Sequence, residues 1–370
     1  MKRKDKEKIK GIVTIDCEEP LTKNDNALEL SKHFLPDGER LFTQLSRYDD
    51  ILAAMVKRQG YRAGNTLKLI CPFFRAFDVG NQDVMDFSAR HILIMSGADS
   101  LLRWLNEKAF GFIVSTSYEP YIRALCNIVG FPFQNTYCTD LDLDILNPSE
   151  EECDKVKKMA DRIISLPTLE WPSDIKSLED MPAPVKRAFT IIDDIIMKEL
   201  KVSCLGSYLE RVEPVGGEEK ARSVYDSCER SGRNLSDAVY IGDSITDVEA
   251  FQLVRKHGGM TVAFNGNRYA IEAAETACLS NHSDILAVIC QMFWDKGRQG
   301  ILEMTENWQT GLPFINQVIS DSSFRDEALE KEQKAPTHFE MIMANNRFSL
   351  IERSELFRSR VRGEAIGRLG

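Results

Sequence analysis

The stretch AVYIGDSITD, residues 238–247, carries the clearest information about the fold, because an apolar run ends there in two acids, Asp243 and Asp247. The apolar part is typical of a buried strand, and an amphipathic segment follows it. Far upstream, the stretch IVTIDCEE, residues 12–19, also passes from an apolar strand into an acidic turn. In an open parallel sheet, ligands bind at the carboxyl ends of the strands, so acids that are distant in sequence converge there. We therefore predict that the two strand ends share one site and that its carboxylates bind a metal.

The composition is that of an ordinary globular protein and argues against several classes. With 370 residues, of which 43% are hydrophobic, the chain is long enough for two domains or for one large domain with insertions. A net charge of −10 argues against a nucleic-acid partner, since binding to the phosphate backbone needs clustered Lys and Arg. The nine cysteines form no C-x-x-C pair and no Cys/His cluster of zinc spacing, which predicts free thiols. The charged start and the lack of an apolar run near ~20 residues predict a cytoplasmic protein without membrane insertion.

Strand and helix patterns alternate along much of the chain, which predicts an α/β fold with a parallel sheet. The predicted strands lie at residues 12–15, 111–114, 134–139, 238–241, 260–264 and 277–279. Residues 141–215 interrupt this alternation with acidic turns and several prolines, and we interpret them as an insertion. After about residue 300 the pattern is mainly helical.

Four short motifs follow one another at predicted strand ends and helix starts. They are an acidic turn at 16–18, hydroxyl residues at 115–117, a helix with Lys220, and a Gly-Asp-x-x-x-Asp turn at 242–247. In this order the chain resembles the haloacid dehalogenase (HAD) superfamily over residues 11–22, 97–140 and 216–290. The resemblance implies a Rossmann-like core with a mostly helical cap insertion. The segment DCEEPLTKNDN, residues 16–26, is also similar to a capped archaeal subgroup labelled energy-converting hydrogenase A subunit R.

The resemblance implies catalytic roles for both acids of the first turn. Asp16 matches the nucleophile that attacks phosphorus and forms an aspartyl-phosphate, which splits one difficult displacement into two easier steps. Glu18 matches the acid/base residue, a role typically worth ~10²–10⁴ in rate. The family's phosphatases usually have Asp here, and the extra methylene of Glu18 moves the carboxyl group by about a bond length, where a ~1 Å misplacement costs ~10²-fold. This departure predicts reduced activity.

The second and third motifs would bind the phosphoryl group. Ser115 matches the hydroxyl that hydrogen-bonds a phosphoryl oxygen, with Thr116 or Ser117 as the substitute if the strand ends later than predicted. Lys220 matches the lysine that neutralises charge between the nucleophile and the phosphoryl group. Lys186 is a weaker competitor for that role.

The same resemblance implies a Mg²⁺ site. Asp16 and Asp243 would bind the ion, Asp247 would orient or complete the shell, and Glu18 would contribute its backbone carbonyl. Hard oxygen ligands with few protein contacts favour Mg²⁺, which keeps waters and accepts phosphate oxygens.

Two insertions correspond to the positions where family members carry caps, which close over substrate and exclude water. Arg62 and Arg75 in the first insertion are candidate substrate-binding cations. The predicted division is a HAD-like α/β core at 1–22, 96–140 and 216–300, a helical cap at 23–95, a second insertion or cap at 141–215, and a helical C-terminal extension at 301–370.

Each motif alone has a plainer explanation. Asp243 and Asp247 could be acids that favour a helix N-terminus, and Lys220 could be a solvated helix residue. Cys17 lies beside Asp16, but a thiol mechanism is disfavoured because no histidine lies near any motif and a catalytic cysteine usually needs a base. The order of the motifs favours a shared site over these separate explanations.

Two functions remain open from the sequence. The resemblance implies a Mg²⁺-dependent phosphohydrolase that acts on a small phosphorylated metabolite through Asp16. The alternative is a catalytically weak accessory or binding subunit, which Glu18 favours, with a protein partner or a second copy bound through the C-terminal helices. The residues of that tail that could form an apolar docking stripe are Leu350, Ile351, Leu356, Phe357 and Val361.

Overall fold

A seven-stranded, mostly parallel sheet lies at the centre of the computed structural model, which describes residues 11–59, 61–172, 175 and 177–363. The strands are β1 (Ile12–Ile15), β2 (Phe110–Tyr118), β3 (Thr136–Thr139), β4 (Ala238–Gly242), β5 (Met260–Phe264), β6 (Thr276–Leu279) and β7 (His338–Met341). Their order is β3-β2-β1-β4-β5-β6-β7, and β7 alone in this sheet runs antiparallel to its neighbour. The predicted α/β class with a parallel, Rossmann-like core is confirmed. The domain boundaries stay predictions, and parts of residues 1–22, 141–215 and 301–370 lie outside the described residues.

Helices connect the strands and cover both faces of the sheet. Their bounds are α1 (Asn26–Phe34), α2 (Gly38–Asp50), α3 (Thr66–Ala76), α4 (Asn81–Arg90), α5 (Ala98–Lys108), α6 (Glu119–Val129), α7 (Glu150–Ser165), α8 (Ala183–Asp194), α9 (Tyr208–Arg211), α10 (Glu218–Ser231), α11 (Val248–Lys256), α12 (Arg268–Ala273), α13 (Ile285–Glu306), α14 (Leu312–Val318), α15 (Ser322–Lys334) and α16 (Arg347–Arg362). Along β4, Val239 and Ile241 pack into one apolar cluster, whereas Ala238 and Tyr240 pack into the cluster on the opposite face. Burial on both faces explains why the core strands are continuously apolar.

The register of the central strands brings the two acidic turns together. Strand β1 lies between β2 and β4, with Ile15 paired to both Ile113 and Ile241. The backbone N–H of Asp16 donates to the carbonyl of Ile241 at 2.9 Å. Since the strands are parallel and in register, the residues that follow them emerge at the same edge of the sheet.

The described residues of 26–90 and 141–212 pack against each other and are here called the insertion module. Both segments contribute to a single buried apolar cluster. The Tyr48 and Phe189 rings, one from each segment, have centroids 5.4 Å apart. Gln44 accepts a hydrogen bond from the backbone N–H of Leu169 at 2.9 Å. The segment 141–212 therefore supports the first insertion by sharing its core.

The C-terminal residues return to the sheet and then to its carboxyl edge. Besides its helices, this part contributes β7, which pairs with β6 and buries Phe339. Helix α16 then packs against α12. The buried residues of α16 recur every four residues: Leu350, Ser354, Arg358 and Arg362. Of the five residues in the predicted apolar stripe, Leu350 alone belongs to this buried face. Within the described ranges, each helix is too short or too polar to cross a lipid bilayer.

Candidate active site

A small cavity of about 100 Å³ opens at the carboxyl edge of β1, β2 and β4. Its walls come from the core motifs, from the insertion module and from helix α16. This volume is below the ~300–1,000 Å³ of pockets that hold drug-sized ligands. A cavity of this size suits a small ligand.

Asp16 and Asp243 line the cavity, and Asp247 forms a buried cluster with them. All three are buried, and each offers a carboxylate oxygen within 4.8 Å of the others. Asp247 folds back over its own turn, where its Oδ2 accepts the backbone N–H groups of Asp243 and Ser244, both at 2.9 Å. A Cβ atom at Gly242 would lie 2.4 Å from Cγ of Asp247, so this turn requires glycine. The four-residue spacing between Asp243 and Asp247 thus allows the Asp247 carboxylate to accept the backbone N–H groups of its own turn.

Lys220, from the first turn of α10, reaches the same acids. Its fully buried ammonium group donates to Asp16 and, at 2.7 Å, to Oδ1 of Asp247. Tyr240 Oη also donates to Oδ1 of Asp247, at 2.6 Å. Burial opposes both charges, but their attraction prevails, so the pKa of Lys220 is raised and that of Asp247 is lowered. Both groups are therefore charged at neutral pH.

The donor set of the three acids fits a hard divalent cation. Burial, together with the neighbouring carboxylates Asp247 and Asp243, raises the pKa of Asp16 to about 7, against the opposing effect of Lys220. A bound cation would offset this crowding of negative charge. Clustered carboxylate oxygens are the ligands that Mg²⁺ prefers in proteins. The side chain of Glu18 is outside this group of three, and its backbone carbonyl stays a predicted ligand.

Glu18 lies at the cavity wall and is held by specific partners. Its Oε1 accepts from Ser117 Oγ at 2.5 Å and from the backbone N–H of Asn26 at 3.2 Å. Burial, together with the nearby Asp25, raises the pKa of Glu18 to about 8. Burial therefore favours the neutral form of this carboxyl group.

The three hydroxyl residues at 115–117 all line the cavity, because β2 continues to Tyr118 rather than ending near Val114. Thr116 Oγ1 donates to the carbonyl of Val215 at 3.1 Å, and Ser117 Oγ donates to Glu18. Ser115 Oγ accepts from the Ser117 backbone N–H at 3.1 Å. Within the described residues its own O–H has no acceptor, which leaves Ser115 the best placed of the three to donate to a ligand.

Arg62 and Arg75 do not reach the cavity. Arg62 pairs with Glu219 and lies 3.6 Å from Glu218, in the first turn of α10. Arg75 donates through Nε to the carbonyl of Leu146 at 3.1 Å and pairs with Asp78 at 3.0 Å. Both side chains stabilise the insertion module or its contact with the core, and their substrate-binding role stays a prediction.

Two further site residues, Arg358 and Arg362 on α16, were not predicted from the sequence. Arg358 Nη1 donates to Asp243, and Arg362 donates through Nε and Nη2 to the carbonyls of Lys23, at 3.0 Å, and Asn24, at 2.8 Å. Both arginines line the cavity. No motif marks them, and their one sequence signal is the four-residue spacing that continues from Leu350 and Ser354.

The insertion module adds acids to the cavity. Asp49 Oδ2 accepts the backbone N–H groups of Gly64, at 3.1 Å, and Thr66, at 3.0 Å. Burial raises the pKa of Asp49 to about 6 and that of the adjacent Asp50 to about 7. Asp25 also lines the wall. The cavity thus carries more acids than cations.

Comparison with known proteins gives likeness of structure only. No protein-family model and no curated protein matches the sequence. The structure is similar to gene product AF1437 from Archaeoglobus fulgidus, with a TM-score of 0.75 and 28% identity over 97% of this chain and 99% of that one. A more distant match is a phospho-aspartyl intermediate analogue of phosphoserine phosphatase, with a TM-score of 0.44 and 16% identity over 72% of this chain and 92% of that one. Another is a HAD family hydrolase from Salmonella enterica serovar Typhi, with a TM-score of 0.40 and 9% identity over 74% of this chain and 66% of that one. The chain is therefore similar to the Archaeoglobus protein in fold over almost its whole length.

Proposed function

We propose that the protein is a Mg²⁺-dependent phosphohydrolase that acts on a small phosphate ester through an aspartyl-phosphate on Asp16. One observation supports this proposal above the others: Asp16, Lys220, Asp243 and Asp247 form a single buried set of contacting charges at the carboxyl edge of the sheet. These are the residue types and the order that the HAD resemblance requires. The plainer explanation of each motif as a solvated surface feature disagrees with their burial.

The HAD resemblance implies the following roles for these side chains in the reaction. An Oδ atom of Asp16 attacks phosphorus, and the bond to the ester oxygen breaks as the new P–O bond forms. Glu18 gives its proton to the departing oxygen. In the second step Glu18 takes a proton from the water that attacks phosphorus, the bond between Asp16 and phosphorus breaks, and inorganic phosphate leaves. Lys220 holds Asp16 in place and offsets negative charge. A Mg²⁺ ion held by Asp16, Asp243 and Asp247 would supply further charge stabilisation of the phosphoryl oxygens.

The cavity and the insertion module together favour a small substrate. The module covers the carboxyl edge with its own walls, including Asp49, Asp50 and Gly64. An enclosed site excludes bulk water, which would otherwise compete with the substrate and weaken the electrostatic interactions. A small phosphorylated metabolite fits such a site better than a phosphoprotein.

Hydrolysis of an aryl phosphate and of a panel of metabolite phosphates, with Mg²⁺ and with chelator, tests the proposal. We expect turnover that needs Mg²⁺ and that falls about 10⁴-fold or more in Asp16→Asn. The matched control is Asp78→Asn, because the side chain of Asp78 is 97% exposed and far from the motifs in sequence. Turnover that survives in Asp16→Asn would refute the nucleophile.

The accessory-subunit alternative keeps one supporting observation, the Glu at position 18. If the folded protein binds Mg²⁺ by calorimetry but turns over none of the phosphate esters, the alternative replaces the enzyme proposal. Its partner is then to be sought at the exposed face of α16.

A further inference from the structure

Helix α16 places a second cation beside the proposed metal ligands. Arg358 is 2% exposed, and it lines the cavity. Its Nη1 atom donates to Asp243 and lies 3.6 Å from Glu19 Oε2. Ser354, one turn earlier on the same buried face, donates to the carbonyl of Gly266 at 2.5 Å and fixes the helix against the loop after β5.

The guanidinium group of Arg358 has donors to spare. Arginine carries five N–H donors in a planar fork. Among the described residues, Asp243 is the one acceptor within hydrogen-bond distance of this side chain, and the buried Nε atom has none. A buried donor without an acceptor is costly, so such groups usually mark a ligand or water site.

Arg362 differs from Arg358 in this respect. Its Nε and Nη2 atoms donate to two backbone carbonyls, Lys23 and Asn24, and its Nε also lies 3.3 Å from Glu19 Oε2. These contacts anchor the end of α16 on the segment after β1. They leave Arg358 as the arginine with donors available to a bound group.

The charges of the site call for such a donor. The buried acids Asp16, Asp243 and Asp247 lie within 4.8 Å of one another, and Lys220 pairs with Asp16 and Asp247. A phosphate ester would add further negative charge. Planar, bidentate donation to phosphate oxygens is the geometry in which arginine binds most strongly. We propose that Arg358 binds oxygens of the phosphoryl group in this cavity, so that the C-terminal helix is part of the substrate site. This inference deepens the proposed function and rests on it.

Binding of inorganic phosphate, measured by calorimetry in Mg²⁺, tests the inference without requiring turnover. We expect Arg358→Gln to weaken phosphate binding about tenfold or more, and Arg358→Lys, which keeps the charge but loses the fork, to lie between that variant and the wild type. The matched control is Arg353→Gln on the same helix, whose side chain is 47% exposed and pairs with Glu340. Thermal melting establishes that each variant is folded. If Arg358→Gln does not fold, Arg358→Lys alone decides, because loss of the fork must still weaken binding.

The outcomes separate the inference from the proposed function. Phosphate binding that depends on Arg358 in a protein without turnover upholds the inference and refutes the phosphohydrolase. Turnover that Asp16→Asn abolishes, together with unchanged phosphate binding in the folded Arg358 variants, refutes the inference and leaves the enzyme. A wild-type protein that binds no phosphate refutes the inference as well.

Discussion

Glu18 is the residue at which this chain departs from the pattern it resembles, and the structure gives the longer side chain partners of its own. Its carboxyl group meets Ser117 and the backbone N–H of Asn26. Glu18→Asp withdraws the carboxyl group by about a bond length, and a ~1 Å misplacement costs ~10²-fold, so we expect kcat to fall by about that factor. Glu18→Gln removes the proton and lowers kcat by ~10²–10⁴-fold. Faster turnover by Glu18→Asp would show that Ser117 and Asn26 do not define the catalytic position.

Tyr240 stabilises the acid at the centre of the site. Its hydroxyl donates to Asp247, which is fully buried and charged. A hydrogen bond to a buried charged group contributes about 1.5–3 kcal/mol, so we expect Tyr240→Phe to lower the free energy of unfolding by that amount in urea denaturation. Tyr137→Phe removes a similar hydrogen bond to Asp226 at an exposed position, and this variant should change the free energy of unfolding by less than about 0.5 kcal/mol. Equal effects of the two changes would contradict the role given to burial.

At the scale of the element, one face of helix α16 is buried and the opposite face is exposed. Leu350 and Leu356 belong to the same predicted apolar stripe, but Leu350 is fully buried and Leu356 is 55% exposed. Leu350→Ala removes buried methyl groups from the cluster against the sheet and should cost about 2–5 kcal/mol of unfolding free energy. Leu356→Ala should stay within about 0.5 kcal/mol. A large loss in Leu356→Ala at low protein concentration would indicate instead that this face is covered by another copy or by a partner.

The elements that sequence patterns predicted are those whose signals are local. Strands β1 and β4 are short apolar runs followed by acids, and both the burial and the turn are encoded within about ten residues. The pattern predicts an earlier end for β2 because Ser115, Thr116 and Ser117 interrupt the apolar run of the strand before Tyr118. The contribution of Arg358 was missed for a different reason. Its position depends on contacts between segments that no local pattern links.

At the scale of the whole molecule, the C-terminal segment and the insertion module complete a site that the core alone leaves open. The core motifs supply the acids and the lysine, the insertion module supplies one wall, and α16 supplies the arginines. The described residues of 26–90 and 141–212 share one core, and the first of these segments supplies the module's wall of the cavity. Because Arg358 and Arg362 line the cavity, its geometry also depends on how the C-terminal segment is attached to the sheet.

A buried ionic cluster makes that attachment. His282, just after β6, lies with Nε2 3.1 Å from Oε2 of Glu332 on α15 and with Nδ1 3.7 Å from Asp284. Glu332 also accepts the backbone N–H of Gly311 at 2.6 Å, and Lys331 pairs with Asp284 at 2.8 Å. Burial alone would disfavour the charged forms of His282, Asp284 and Glu332, but the attraction between these groups prevails. The pKa of His282 is raised, and the pKa values of Asp284 and Glu332 are lowered.

These shifts predict a pH dependence of stability that His282→Gln should remove. A raised histidine pKa contributes stability that is fully present below the unfolded value of about 6.5 and is lost as the pH rises through the higher folded value. The lowered carboxyl pKa values contribute stability above about pH 4 that is lost as the pH falls through the folded values. We therefore expect His282→Gln to reduce the free energy of unfolding by about 1–3 kcal/mol between about pH 5 and 6.5, and by less as the pH rises through the folded pKa. Urea denaturation of both proteins, from about pH 5 to a pH above the raised pKa of His282, measures the difference. A difference that stays constant with pH would show that His282 acts through packing and not through its charge.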